Sequence, residues 1–364
     1  MAYKTRGQYD VAVVGGGPAG SAAALSTARL GWKTVLFEGC GDRAKYGETL
    51  APECNPLLRK LGLWETLQRS RPVESPGIVS YWGTDASHQQ DFVGNAHGAG
   101  WHVDRTRFDS ELRLEAERAG ATVLDREPVS YILREKGRWR LNTVEARYLI
   151  DAAGRNGLRT DTPAARETDD CLLVRILRIS YFRNGPRDWR TVIAAAPSGW
   201  WYWSPLPDGD AIAMLFTCRE EYRGIRRLDP LECLRTAPAI CELARPGRIT
   251  ATQWIMASSS IRKVLHGNRW IAAGDSLSSF DPLSGRGIFH ALRSASLAAE
   301  VVHAQLQGQP SAIDTFESAI RREFIDYVRQ RRIYYREEQR WPSHPFWEGR
   351  QRATSKETSL MNVR

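Results

Sequence analysis

No apolar run in this 364-residue chain approaches the ~18 residues of a membrane-spanning helix. The N-terminal MAYKTRGQYD carries no apolar signal region, so a cytoplasmic protein without a membrane partner is expected. Cysteine is sparse. The six residues, at 40, 54, 171, 218, 233 and 241, form no CxxC pair and no cluster with histidine, which reads as free thiols and gives no reason to expect a metal. No internal repeat and no nucleic-acid motif is present, so neither DNA nor RNA is an expected partner. Lysine is missing from residue 61 through 135. A second strand–GxGxxG–helix unit is also missing, which excludes a dedicated second dinucleotide domain.

The first such unit is complete. Val11 to Val14 is a β-branched run of the kind buried in parallel sheets. Gly15-x-Gly17-x-x-Gly20 follows, then an Ala/Leu-rich helix over Ser21–Leu30. Gly31 ends the helix, and a strand from Lys33 to Phe37 finishes in Glu38. Gly15 suits the tight turn, Gly17 the close approach of backbone to a pyrophosphate, and Gly20 close packing of helix on strand. The helix N-terminus offers free N–H groups to phosphate oxygens. Glu38 stands 18 residues past Gly20 (38 − 20), at a strand tip where it accepts hydrogen bonds from a ribose diol. The spacing therefore predicts dinucleotide binding.

Beyond this unit the expected elements are a helix carrying Leu57, Leu58, Leu61 and Leu63 and a strand at Gly77–Trp82. A helix from Thr106 to Ala119 follows, then strands near 121–124, 129–133, 138–141 and 146–152. Alternation across 171–218 predicts an antiparallel sheet. Residues 229–245 read as helical, Trp270–Ala273 as a strand, and 288–306 and 313–339 as long helices. The aromatic, basic segment from Trp341 ends in a disorder-like stretch, 354–364. The chain carries 51 basic against 42 acidic residues, a net charge of +9. Either a solvated basic face or an acidic partner accounts for that excess. Thirteen tryptophans suit cores, ring-binding pockets or interfaces equally.

Three motifs in one order resemble the FAD-dependent monooxygenases of the para-hydroxybenzoate hydroxylase superfold, which also contains flavin halogenases and geranylgeranyl reductases. The motifs are GGGPAG at 15–20, DAAGR at 151–155, and Gly274-Asp275 followed by DPLSGRG at 281–287. The resemblance implies an α/β fold: a Rossmann-like FAD-binding domain (1–80, 101–170 and 255–310), an antiparallel substrate sheet (81–100 and 171–254), and a helical C-terminus with an aromatic, basic tail (311–364). It implies that Gly15, Gly17, Pro18, Ala19 and Gly20 hold the FAD pyrophosphate, Glu38 the adenosine ribose and Asp275 the ribityl chain. Ala153 joins them in the DAAGR turn. Pro282, Gly285, Gly287 and Ile288 lie at the pyrimidine edge, and Arg105 in VDRTRFD lies near the cofactor.

Within the superfold, YGETLAPECNPLLRKLG and GWWYWSPLP look like the tryptophan-halogenase branch. The C-terminal RRIYYREEQRWPSHPFW looks like the flavoproteins that mature tryptophylquinone cofactors in amino-acid oxidases, which are peptidyl-tryptophan hydroxylases. Halogenases need a lysine about thirty residues past the motif matched by Gly47–Thr49, and none stands there. The resemblance thus implies an FAD-dependent monooxygenase that traps O2 as the flavin C4a-hydroperoxide. Its expected substrate is a tryptophan ring of a partner polypeptide, an oxidase precursor. A small aromatic metabolite is the next alternative, then halogenation, then a reductase. NAD(P)H or a separate reductase supplies electrons. Trp201 and Trp203, on one face of a strand, are the expected substrate-pocket pair, and Glu48 is the expected acid/base. His290 reads as packing or cofactor support.

Overall fold

The computed structural model describes residues 7–39, 48–158, 165–168, 171–181, 188–309 and 312–351. Strand Gly7–Val14 lies at the centre of a largely parallel sheet. It pairs in parallel with Thr34–Glu38 on one side and Val144–Asp151 on the other. Thr122–Asp125 and Trp270–Ala272 extend the sheet outward, and the hairpin Ile132–Glu135/Arg138–Leu141 adds antiparallel strands. Residues 11–14 are buried, which is why they form an unbroken apolar run instead of alternating. Helix Pro18–Arg29 packs on helix Gly287–Leu306, and both bury alanine-rich faces, including Ala22, Ala23, Ala295 and Ala298.

A second sheet of seven strands is almost wholly antiparallel. Its order is Gly247–Met256, Leu173–Tyr181, Ala211–Thr217, Gly199–Pro205, Thr191–Ala196, Gly77–Tyr81 and His88–Asp91. A three-stranded sheet, Glu48–Leu50, Gly100–Val103 and Val73–Ser75, meets it through Thr49 and His102. No described helix is long and apolar enough to cross a membrane.

Several expected elements divide. The leucine-rich helix breaks at Gly62 (φ +65°) into Cys54–Lys60 and Trp64–Arg69. The 229–245 segment becomes Pro230–Leu234 and Pro238–Ala244, because Pro238 drives Ala237 into extended backbone (φ −129°, ψ 83°). Two edge strands escape a pattern search. His88–Asp91 is wholly exposed and Gly247–Met256 nearly so, and neither shows apolar alternation. Helix Ala312–Glu337 runs close to its expected span, and Pro345–Gln351 adds a short helix that buries Phe346 and Trp347. The disorder-like 354–364 lies outside the described residues.

Candidate functional site

The loop after the first strand is shaped by its glycines. Gly15 has φ +107°, and a Cβ there would lie 2.2 Å from the Ala152 carbonyl oxygen. A Cβ on Gly20 would lie 1.7 Å from the Gly15 oxygen, so helix and strand touch at that point. A Cβ on Gly17 would meet nothing within 4 Å, which leaves its backbone open on the outer side. The helix beginning at Pro18 has Gly17 as N-cap, no side-chain cap and no acid in its first turn, so its N–H groups suit an anion. Ala19 packs beneath Gly274, whose added Cβ would come within 2.5 Å of the Ala19 Cβ.

Glu38 is buried and returns to the same loop, where its Oε2 accepts the Gly16 N–H at 3.0 Å. Arg113 donates to the Gly16 carbonyl at 3.1 Å, a contact the sequence reading missed. Arg113 stands among the other charged residues of helix Arg105–Arg118, so its spacing gave no signal that singled it out. Arg105 grips buried Asp109 through Nε (3.1 Å) and Nη2 (3.3 Å).

On the neighbouring strand, in register with Val14, Asp151 is fully buried. Its carboxylate accepts the Ala153 N–H (3.1 Å), the Leu158 N–H (2.8 Å) and Arg262 Nη1 (2.7 Å). Arg262 also lies 4.8 Å from the Trp270 ring centroid. This ion pair fixes the turn that carries Ala153 and Arg155. Arg155 then donates to Asp275 Oδ2 at 3.1 Å and to the Ser258 carbonyl at 3.2 Å. Asp275 projects from the short turn Gly274–Ser276, half-exposed, with Gly274 held by Ser294 Oγ at 2.9 Å. Arg166 donates to the carbonyls of Asp275 (2.9 Å) and Ser276 (2.8 Å), and burial lowers its guanidinium to about 10. Arg155, Arg166 and Arg262 come from separate strands and turns, so spacing could not have grouped them.

Asp281 heads the next turn. Its carboxylate caps Leu283 N–H at 3.0 Å, Gly285 is left-handed (φ +61°), and helix Gly287–Leu306 starts without a side-chain cap. Pro282, Gly285, Gly287 and buried Ile288 therefore form a second open helix start. Just inside that helix, His290 is buried, with Nε2 2.9 Å from Ser278 Oγ and its ring 4.6 Å from that of Phe280.

The expected pair on strand Gly199–Pro205 needs correction. Trp201 and Trp203 are buried, at 0% and 1% exposure, against Cys233, Leu234, Ala237 and Ile240 beneath the helices of 230–244. Trp201 Nε1 donates to Thr236 Oγ1 at 3.1 Å. Period-2 alternation separates two faces but does not say which meets which neighbour. The opposite face, Trp200 and Tyr202, turns toward Leu283 and the C-terminal helices. Trp200 stacks on Phe216 at 3.8 Å.

Tyr202 belongs to a polar cluster between the sheets. Thr49 Oγ1 lies 2.9 Å from Tyr202 OH, 3.0 Å from His102 Nδ1, 3.1 Å from Thr191 Oγ1 and 3.2 Å from Ser204 Oγ. His102 Nε2 is 2.6 Å from the Trp189 carbonyl, so it carries the proton and Nδ1 accepts. Burial lowers the His102 pKa to about 4, which keeps the ring neutral. Trp189 also bounds an open groove of about 570 Å³, together with Glu74, Pro76, Phe92, Val93 and Asn95. Glu48 opens its strand opposite Val103; its side chain lies outside the described structure. The described lysines, Lys33, Lys60, Lys136 and Lys263, are all exposed, and Lys45 lies outside the described residues.

A family profile described as FAD binding domain matches residues 8–331. The chain belongs to this FAD binding domain family. It is 28% identical over 361 residues to a putative FAD-dependent oxidoreductase, LodB, of Marinomonas mediterranea, spanning 94% of this chain and 96% of that protein. It is 25% identical over 374 residues to a tryptophan 2-halogenase of Chondromyces crocatus, spanning 94% and 70%. Among solved structures, the myxobacterial chondrochloren halogenase CndH superposes with TM-score 0.85 at 25% identity, over 97% of this chain and 88% of that one. The peptidyl tryptophan dihydroxylase QhpG superposes with TM-score 0.77 at 23% identity, over 95% and 79%. The residues fit FAD. The open face at Gly17 leaves room for a pyrophosphate, and buried Glu38 stands beside it. Asp275 follows strand Trp270–Ala272 of the same parallel sheet, with the Pro282–Ile288 helix start beyond it in the chain.

Proposed function

We propose that this flavoprotein hydroxylates a tryptophan ring carried by a partner polypeptide, during biogenesis of a quinone cofactor. Bound FAD supplies the oxygen-activating chemistry. The chain's own groups bind and orient the cofactor: the Gly17 face and the helix start at Pro18 toward phosphate, Glu38 and Asp275 toward hydroxyls, and the helix start at Gly287 toward negative charge on the ring. Tyr202, half-buried on the face of the sheet that packs near Leu283, is the aromatic side chain of that face left partly open, while Trp200 is fully buried behind it in the packing of Phe216 and Tyr335.

The observation that carries oxygen transfer over halogen transfer is that every described lysine is exposed, so no described amine is buried to hold a halogenating oxidant. A polypeptide substrate is consistent with the open groove lined by Trp189 and Phe92, which is not enclosed around a small molecule. It is also supported by the outer face of helix Ala312–Glu337. There Ile333 (59% exposed) and Tyr334 (56%) stand among exposed Arg329 and Arg336, a surface suited to an acidic protein. QhpG, by its name, acts on peptidyl tryptophan. Halogenation is the second reading, favoured by the tryptophan 2-halogenase likeness.

Mass spectrometry of a candidate oxidase precursor co-expressed with this chain tests the proposal, with NAD(P)H alone and with an added flavin reductase. Oxygen added to a tryptophan of the precursor is the expected result. Rapid hydroxylation of a free small aromatic, with the precursor unmodified, would overturn it.

A further inference from the structure

We infer that Tyr335 is a positioning residue for FAD, acting through Asp281 from the C-terminal helix. The inference rests on membership of the FAD binding domain family and not on the proposed substrate. Asp281 is 1% exposed at the head of the turn that leads into the helix start at Gly287. Its Oδ1 caps the turn at Leu283 N (3.0 Å). Its Oδ2 accepts the Tyr335 hydroxyl at 2.8 Å and faces Arg350 Nη1 at 3.5 Å. Its own N–H donates to the Tyr327 hydroxyl at 2.8 Å. The turn is thus clamped by three residues of the C-terminal helices, none of them in the cofactor motifs.

The direction of the Tyr335 bond is determined. Trp200 Nε1 lies 3.0 Å from the same phenolic oxygen and can only donate, so the phenol proton points to Asp281. Burial holds the Tyr335 phenol well above its ordinary pKa, and it stays a donor. Its ring is packed against those of Trp82, Phe346 and Trp347, with centroids 5.9, 6.0 and 6.1 Å away. A phenylalanine keeps those contacts and loses only the hydroxyl.

Two consequences follow from the charge. The carboxylate of Asp281 opposes the positive helix start that faces the cofactor's pyrimidine edge, and the phenol proton offsets part of that negative charge. Without the phenol the turn loosens and the carboxylate, left with the Leu283 N–H and the more distant Arg350, repels reduced FAD, the more negative form, harder than oxidised FAD.

The test is titration of apoprotein with FAD, the midpoint potential of the bound flavin, and apoprotein melting, for wild type, Tyr335→Phe, Trp200→Phe and Asp281→Asn. In Tyr335→Phe the FAD dissociation constant should rise roughly tenfold. A further tenfold loss for the reduced form lowers the midpoint by about 30 mV. Trp200→Phe leaves the Tyr335–Asp281 bond intact and should stay within about twofold of wild type. Asp281→Asn removes the charge and should raise the midpoint, the opposite sign. Wild-type affinity and potential in Tyr335→Phe would overturn the inference. So would equal weakening in Tyr335→Phe and Trp200→Phe in step with lost melting temperature. If Tyr335→Phe does not fold, an unchanged potential in Asp281→Asn refutes it.

Discussion

Replacing Trp347 by alanine tests whether the C-terminal aromatic block is core or docking surface. Trp347 is fully buried, with its ring centroid 5.0 Å from that of Phe346 and 5.5 Å from that of Trp82. Its Nε1 donates to the buried Ala196 carbonyl at 2.9 Å. Truncating such a side chain costs about 3–5 kcal/mol, toward the upper end here because Ala196 is left without that donor. Against a total stability of about 5–15 kcal/mol that is a large share, and melting should fall by roughly 4–7 °C for a chain of 364 residues. Trp347→Phe keeps most of the volume and should cost about 1–3 kcal/mol. Removing residues 341–364 takes away Phe346, Trp347 and Arg350 together, so it should damage stability and FAD binding along with any activity. Thermal unfolding followed by protein fluorescence, with and without FAD, reads all three. A Trp347→Ala variant that melts with wild type would refute the packing argument. A truncation that keeps FAD and melting temperature, yet fails only on a polypeptide, would show the tail to be a docking surface instead.

Three further outcomes are expected. Glu38→Ala and Asp275→Ala should each weaken FAD binding by roughly 1–3 kcal/mol, measured by titration of apoprotein; unchanged affinity in both would remove them from the site. Incubation with reduced flavin, O2 and chloride or bromide should give no halogenated tryptophan or indole, and catalytic turnover to such a product would revive the second reading. His102 should make the fold acid-sensitive. Its folded pKa, about 4, lies below the unfolded value of 6.5, so between those pH values the unfolded chain binds the extra proton and stability falls as pH falls. That contribution, about 3 kcal/mol between pH 7 and 4, should shrink in His102→Gln; identical pH slopes in chemical denaturation would contradict it.

The dinucleotide unit was legible because its physics is local. Buried parallel strands leave unbroken apolar runs at 11–14 and 35–37, and Gly15 and Gly20 sit where a Cβ would strike backbone. Glu38 was legible from its distance to Gly20 along one crossover. The partners that hold these groups were not. Arg113 reaches Gly16 from a helix whose outward residues read as an ordinary charged face. Arg262 meets Asp151 only because the short strand Ser260–Arg262 turns its arginine toward the end of the parallel sheet. His102 stands alone in GWHV, with nothing nearby to mark a buried polar cluster, since Thr49, Thr191, Tyr202 and Ser204 arrive from three other strands.

The misreading of strand Gly199–Pro205 concerns direction. Alternation placed Trp201 with Trp203 and Trp200 with Tyr202, and both pairs are apolar enough to bury. The choice was made by the helices of 230–244, which cover the odd-numbered pair, and by the C-terminal helices, which cover the other. The same logic explains the tail. Along helix Ala312–Glu337, Phe316, Ile320, Phe324, Tyr327, Val328 and Tyr335 turn inward at helical spacing, while Arg329 and Arg336 turn out. An aromatic and basic composition is therefore two faces with two separate tasks. The inward aromatics hold the Asp281 turn and the sheet. Ile333 and Tyr334 lie on the outward face, and substitutions there should leave melting and FAD affinity near wild type where Trp347→Ala does not.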